Sequence, residues 1–168
     1  MTIDGSERSF DASVYLGKML SKQAEIVLFH VMAEVPDAFR DVSADPLTEK
    51  ENYPLSIWKT SQKEVIDEFM TIACDILTAS GFPKEAIFVK SPTMRSGVAR
   101  DILIESQLNY DILVVGRTGI SKMENITLGS VASKLIDVVD HPPIIVVGEN
   151  IKSKKILIAI DGSPGSMN

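Results

Sequence analysis

Four short apolar runs, separated by stretches of helical period, do most to narrow the folds open to this chain. They are residues 26–31, 86–89, 112–115 and 144–147. Each is rich in apolar, often β-branched residues without regular polar alternation, the pattern of strands buried on both faces and so of a parallel sheet. Between them, apolar residues fall three and four apart. Ala12, Leu16, Met19 and Leu20 form one set, and Ile57, Ser61, Val65, Phe69, Ile72, Ala73 and Ile76 a second. Val98, Ala99, Ile102, Leu103 and Ser106 form a third, and a fourth helix is expected from Ser130 to about Asp140. Ser6 or Ser9 suits the cap of the first helix, and Gly81 with Pro83 ends the second. Strands that alternate with helices need right-handed crossovers, which makes the fold α/β and doubly wound, with helices on both faces of a parallel sheet. Ligands of such sheets sit beyond the carboxyl ends of the strands. Asp4, Val31 and Gly116 all fall at such ends.

A chain of 168 residues suggests one domain with a full core. The formal net charge is −6 and Lys and Arg form no long run, which argues against a nucleic-acid surface. No apolar run is long enough to cross a bilayer, so no membrane partner is expected. Cys74 is the single cysteine and has apolar neighbours, as a buried, inert thiol would. With a polar start, MTIDGSERSF, the expected location is the cytoplasm. Residues 33–55, broken by Pro36, Pro46 and Pro54, read as a surface loop.

The third apolar run leads into Gly116–Ser130, GRTGISKMENITLGS, and then into a helix. Strand, glycine loop and helix start together form an arrangement that holds phosphate. Glycine lets backbone approach an anion, and the helix offers unpaired N–H groups at the positive end of its dipole. Two residues separate Gly116 from Gly119, nine separate Gly119 from Gly129, and Ser130 follows. This spacing is neither the P-loop nor the dinucleotide fingerprint. On the residues alone, a binding loop and a plain flexible loop stand about equal. Ser130 suits either a cap for the helix or a hydroxyl donor to a ligand.

The end of the chain repeats its beginning. Ile3-Asp4-Gly5-Ser6 recurs as Ile160-Asp161-Gly162-Ser163, and Ser9 recurs as Ser166. The strand-like run Lys154–Ile160 precedes the second copy, whereas Met1, Thr2 and Ile3 alone precede the first. The expected division is a domain over residues 1–150 with a shortened first strand. Residues 151–168 would then be a linker and the first strand of a following repeat.

Taken together, these residues resemble the nucleotide-binding branch of the universal stress protein family. The family pattern G-x2-G-x9-G-[ST] is matched by Gly116, Gly119, Gly129 and Ser130. A strand-one Asp is matched by Asp4 or Asp161, and a strand-two His-Val by His30-Val31. The resemblance implies a five-stranded parallel sheet of order 3-2-1-4-5 that holds ATP or AMP across its strand ends. It implies adenine contacts from the strand-one Asp and from the Val31 backbone, with Val115 lining the pocket. Gly116 and Gly119 would approach ribose and phosphate, and Gly129, Ser130 and Val131 would hold phosphate at the helix start. A divalent cation could ride on the phosphates. The resemblance also implies a homodimer through the edge strand 144–147, whose apolar edge itself invites pairing.

Three functions compete. The favoured one is a nucleotide-binding regulatory protein with little or no fast catalysis. An enzyme, a slow ATPase or a phosphotransferase, would need a positioned base and metal-holding carboxylates. The glycine loop holds one acid, Glu124, and no histidine. His30 reads as a structural strand histidine and His141 as part of the turn into Pro142-Pro143. The third is a dimerisation module with an empty pocket, which would not need the glycine pattern. The run 154–160 is apolar on both faces and is expected to enter a strand-one slot, in a partner chain, with Asp161 replacing Asp4.

Overall fold

The fold was analysed in a computed structural model, described for residues 1–34, 53–119 and 128–148. Helix α1 spans Glu7–Met19 and strand β1 spans Ile26–Phe29. Helix α2 runs from Tyr53 to Ala79, and a short 3-10 turn at Lys84–Ala86 leads into β2, Ile87–Lys90. Then come α3 (Val98–Ser106), β3 (Leu113–Gly116), α4 (Ser130–Val138) and β4 (Ile144–Val147). The expected strands 26–31, 86–89, 112–115 and 144–147 all form, some shifted or shortened at their ends. The second repeat, with Asp161 and the run 154–160, lies outside the described residues, as do residues 35–52 of the expected loop.

Strands and helices alternate and every pairing is parallel. β1 pairs with β2, Ile26 level with Ile87, and β3 pairs with β4, Leu113 level with Ile144. The described residues thus form two two-stranded sheets rather than a single five-stranded one. Between the pairs lie Met1–Ile3. The Thr2 amide donates to Val114 O at 2.9 Å, the Ile3 amide to Phe29 O at 2.9 Å, and the Phe29 amide to Met1 O at 2.9 Å. Three residues are too few for a strand of ordinary length, but they tie both pairs together. The Met1 amine donates to Val27 O at 2.7 Å, and burial pushes its pKa down to about 5.

Side chains along β1 and β3 divide between two layers, as the period of two requires. Ile26 and Leu28 pack with Ile3 against Ile66, Phe69, Met70, Ala73 and Leu77 of α2. Val114 and Val147 pack beneath Ala12 and Leu16 of α1. On the other side Phe29, Leu113 and Val115 meet Ile102 of α3 and Ala132 and Leu135 of α4. The helices therefore cover both sides, α1 and α2 on one and α3 and α4 on the other.

The second helix departs from its expected stripe. Its buried face is Ile66, Phe69, Met70, Ala73 and Leu77, while Ile57, Val65 and Ile72 are exposed. Apolar residues occur on more than one side of this helix, so spacing alone could not choose the face. The helix ends as expected. Gly81 takes φ +97°, and the Phe82 amide reaches back to Leu77 O at 3.2 Å.

Candidate functional site

At the amino end of α1, Ser6 is the cap, and its side chain accepts the Ser9 amide. The same serine holds Asp4. Its amide and hydroxyl donate to Asp4 Oδ1 at 3.1 and 2.6 Å. Gly5 lies between them at φ +78°, and a β-carbon there would fall 2.8 Å from the Phe69 ring. Only glycine suits both the backbone and the space. Asp4 is thus braced locally, although few residues precede it.

His30 braces the same corner from β1. Its Nδ1–H donates to Ile3 O at 2.8 Å, and its ring meets Phe69 edge-on at 4.9 Å. The His30 amide donates to Lys90 O and the Met32 amide to Pro92 O. Alternation along the chain then turns the Val31 amide and carbonyl to the opposite edge, the side of Asp4. Val31 itself is buried.

Both described ends of the glycine loop, 116–119 and 128–129, lie at this corner. Val115 is buried against Ile102 and Ala132, and Gly116 ends β3 level with Val147. The Arg117 amide donates to Val147 O at 2.8 Å, and the Gly129 amide donates to Arg117 O at 2.7 Å. Arg117 thus clips the start of the loop to the start of α4. A β-carbon on Gly129 would lie 3.2 Å from Thr118 Cα and 3.3 Å from Arg117 O, so the clip needs glycine. Gly119 lies against Asp4: a β-carbon there would fall 2.6 Å from Asp4 Oδ2. Arg8 of α1 reaches the Gly119 carbonyl at 3.5 Å through Nη1.

The cap of α4 is Gly129, not Ser130, and no side chain caps that end. Ser130 is the first helical residue and is exposed; Val131 follows it, half-buried. The reason is the clip, which puts Gly129 in extended backbone with its carbonyl accepting the Ser133 amide. Among the described residues no side chain caps the first N–H groups of α4, the arrangement that an anion site uses. Beside them is Thr118, buried, whose hydroxyl has no hydrogen-bond partner among the described residues. A buried, orphaned hydroxyl next to an uncapped helix start fits a phosphate-bearing ligand.

The structure thus brings Asp4, Val31, Gly116, Gly119 and Gly129 to one end of the strands, with Val115 beneath and Ser130 and Val131 at the helix start. Asp161 and Glu124 lie outside the described residues. Thr118 and Arg8 escaped the sequence reading, because neither burial inside a loop nor a contact between distant segments has a local signature. Among the described residues no group of three or more His, Cys, Asp or Glu is placed to hold a metal ion. Cys74 is partly buried, and burial, then the neighbouring Asp75, pushes its thiol pKa up. No helix among the described residues is long and apolar enough to cross a membrane.

Fold and site together define an α/β domain of parallel strands, with Gly116, Gly119 and Gly129 brought to the strand ends. The model of the universal stress protein family matches residues 1–147. The chain belongs to that family. It is 25% identical to a universal stress protein of Mycolicibacterium smegmatis, over 98% of this chain and 54% of the relative. The chain thus spans about half the length of this curated relative. Two solved structures share the fold. One was described as a structure-based assignment of biochemical function for the hypothetical protein MJ0577, with TM-score 0.62 and 23% identity, covering 88% of this chain and 92% of that one. The other is the hypothetical protein PH0823, with TM-score 0.55 and 14% identity, covering 90% and 95%.

Proposed function

We propose that this protein binds an adenine nucleotide, ATP or AMP, at the carboxyl ends of its strands, as a cytoplasmic regulatory protein with little or no fast catalysis. The observation that carries the reading is the contact of the Asp4 carboxylate with Gly119. It joins the end of the central segment to the glycine loop, so that a base-binding acid and a phosphate-binding loop share one rim. Asp4 and the Val31 backbone would hold the adenine edge. Gly116 and Gly119 would admit ribose and phosphate, and the start of α4 at Gly129, Ser130 and Val131 would hold the phosphates, with the Ser130 and Val131 N–H groups as donors. Thr118 would find its missing partner there. A divalent cation would be held through the phosphates themselves.

The regulatory reading rests on the chemistry of the rim. His30, the histidine nearest Asp4 in the sheet, spends Nδ1 on Ile3 O and its ring on Phe69. It serves to position the Asp4 segment rather than to move a proton. Under this reading residues 1–3 hold the central place of a sheet ordered 3-2-1-4-5, and β4 is its edge. A homodimer would form through Ile144–Val147, where β4 pairs on one side with β3.

Calorimetric titration with ATP and with AMP tests the proposal, together with mass spectrometry of any ligand released from purified protein. Saturable binding of an adenine nucleotide is expected, and its absence at millimolar nucleotide would overturn the reading.

A further inference from the structure

Past the end of β2 the chain stays paired with the continuation of β1. The His30 amide donates to Lys90 O at 3.0 Å, the Met32 amide to Pro92 O at 2.9 Å, and the Met94 amide to Met32 O at 2.9 Å. Phe29 is level with Lys90 and Met32 with Thr93, so Val31 is level with Pro92. Met94 follows Pro92 by two residues and shares its face of the sheet. It therefore stands one step beyond Val31 on the neighbouring line. Its side chain is half-buried and packs on the cluster that holds Val31, Val115 and Ala132.

The segment after Met94 is fixed as firmly. The Asp101 carboxylate accepts the Arg95 amide at 2.7 Å through Oδ2 and the Ser96 amide at 3.1 Å through Oδ1. Gly97 then takes φ +114°, and its carbonyl accepts the Asp101 amide at the start of α3. The ladder on one side and Asp101 on the other hold the Met94 backbone, as a binding residue on a loop requires.

We propose that Met94 is the apolar wall of the base subsite and makes the site prefer a purine to a pyrimidine. The inference rests on the nucleotide reading above. Val31 and Met94 stand on the β1–β2 side of Asp4, and the start of α4 stands on the β3 side. A nucleotide with its phosphates at α4 and its base edge at Asp4 and Val31 therefore has its base on the Met94 side. The Asp4 carboxylate and the Val31 backbone read an edge of the base but cover neither face. A thioether is apolar and polarizable and packs well against an aromatic ring. A purine anchored by its edge presents two fused rings to that wall and a pyrimidine one, so the purine removes more apolar surface from water. The unbranched side chain lets the wall close on the ring without a shift of the clamped backbone.

Calorimetric titration of the full chain with ATP and with UTP tests this. The wild type should bind ATP at least about tenfold more tightly than UTP. Met94→Ala should lose about tenfold in ATP affinity and less in UTP affinity, so that the preference shrinks. Met94→Leu, apolar and close in volume, should keep ATP affinity within about twofold. Met94→Gln, similar in length but polar, should behave as Met94→Ala does, and it serves alone if circular dichroism shows the alanine variant unfolded. A wild type without preference for ATP overturns the inference. So does a Met94→Ala or Met94→Gln chain with the wild-type preference, including one that loses both nucleotides equally, as a packing defect would. In those cases the nucleotide reading stands. A wild type that binds no nucleotide overturns that reading and this inference together.

Discussion

The Asp4 carboxylate lies directly against Gly119, so close that a β-carbon on the glycine would sit 2.6 Å from Oδ2. The two residues come from opposite parts of the chain and meet because Met1–Ile3 bond to both β1 and β3. Gly119 lacks a side chain at the one point where Asp4 needs the space.

Gly119→Val should therefore push Asp4 out of its place and fill the approach to the loop. Affinity for ATP should fall by at least about tenfold in calorimetry, with circular dichroism showing the fold retained. An unchanged affinity would separate Gly119 from the ligand.

Gly5 is the stricter position for stability. Gly5→Ala places a side chain at φ +78° and within 2.8 Å of the Phe69 ring. Backbone strain of this kind costs about 1–3 kcal/mol, to be read as a lower urea midpoint. Ser6→Ala removes the α1 cap and the brace on Asp4 together, at about 0.5–2 kcal/mol. The first variant should act mainly through stability, the second on ATP affinity as well.

The features legible in the sequence were those written locally. The four apolar runs predicted β1 to β4, Ser6 was one of the two serines that suited the α1 cap, and Gly81 marked the end of α2. Gly116 and Gly129 marked the end of β3 and the start of α4. What stayed hidden depended on distant residues. The buried face of α2 was misread because Val65 and Ile72 are as apolar as Ile66 and Met70, and packing against β1 chose between them. Ser130 suits a cap by type, but the bond between Gly129 and Arg117 made the glycine the cap. The brace on Ile3 from His30, the burial of Thr118 and the reach of Arg8 to Gly119 exist only once the strands are side by side.

Thr118 offers the sharpest separation of folding from binding. Its hydroxyl is buried without a partner among the described residues. An unsatisfied buried hydroxyl opposes folding, whereas a methyl group of similar shape in its place removes that opposition. Thr118→Val should thus leave the free protein as stable as the wild type or raise its stability by about 1 kcal/mol. If the hydroxyl is kept for a phosphate oxygen, the same change should weaken ATP binding by roughly tenfold. Stability and affinity would then move in opposite directions in one variant, which a packing defect cannot produce, since a defect lowers both. Thermal unfolding with and without ATP reads both quantities. A Thr118→Val protein that gains stability and binds ATP as the wild type does would show that the orphaned hydroxyl is not part of the nucleotide site.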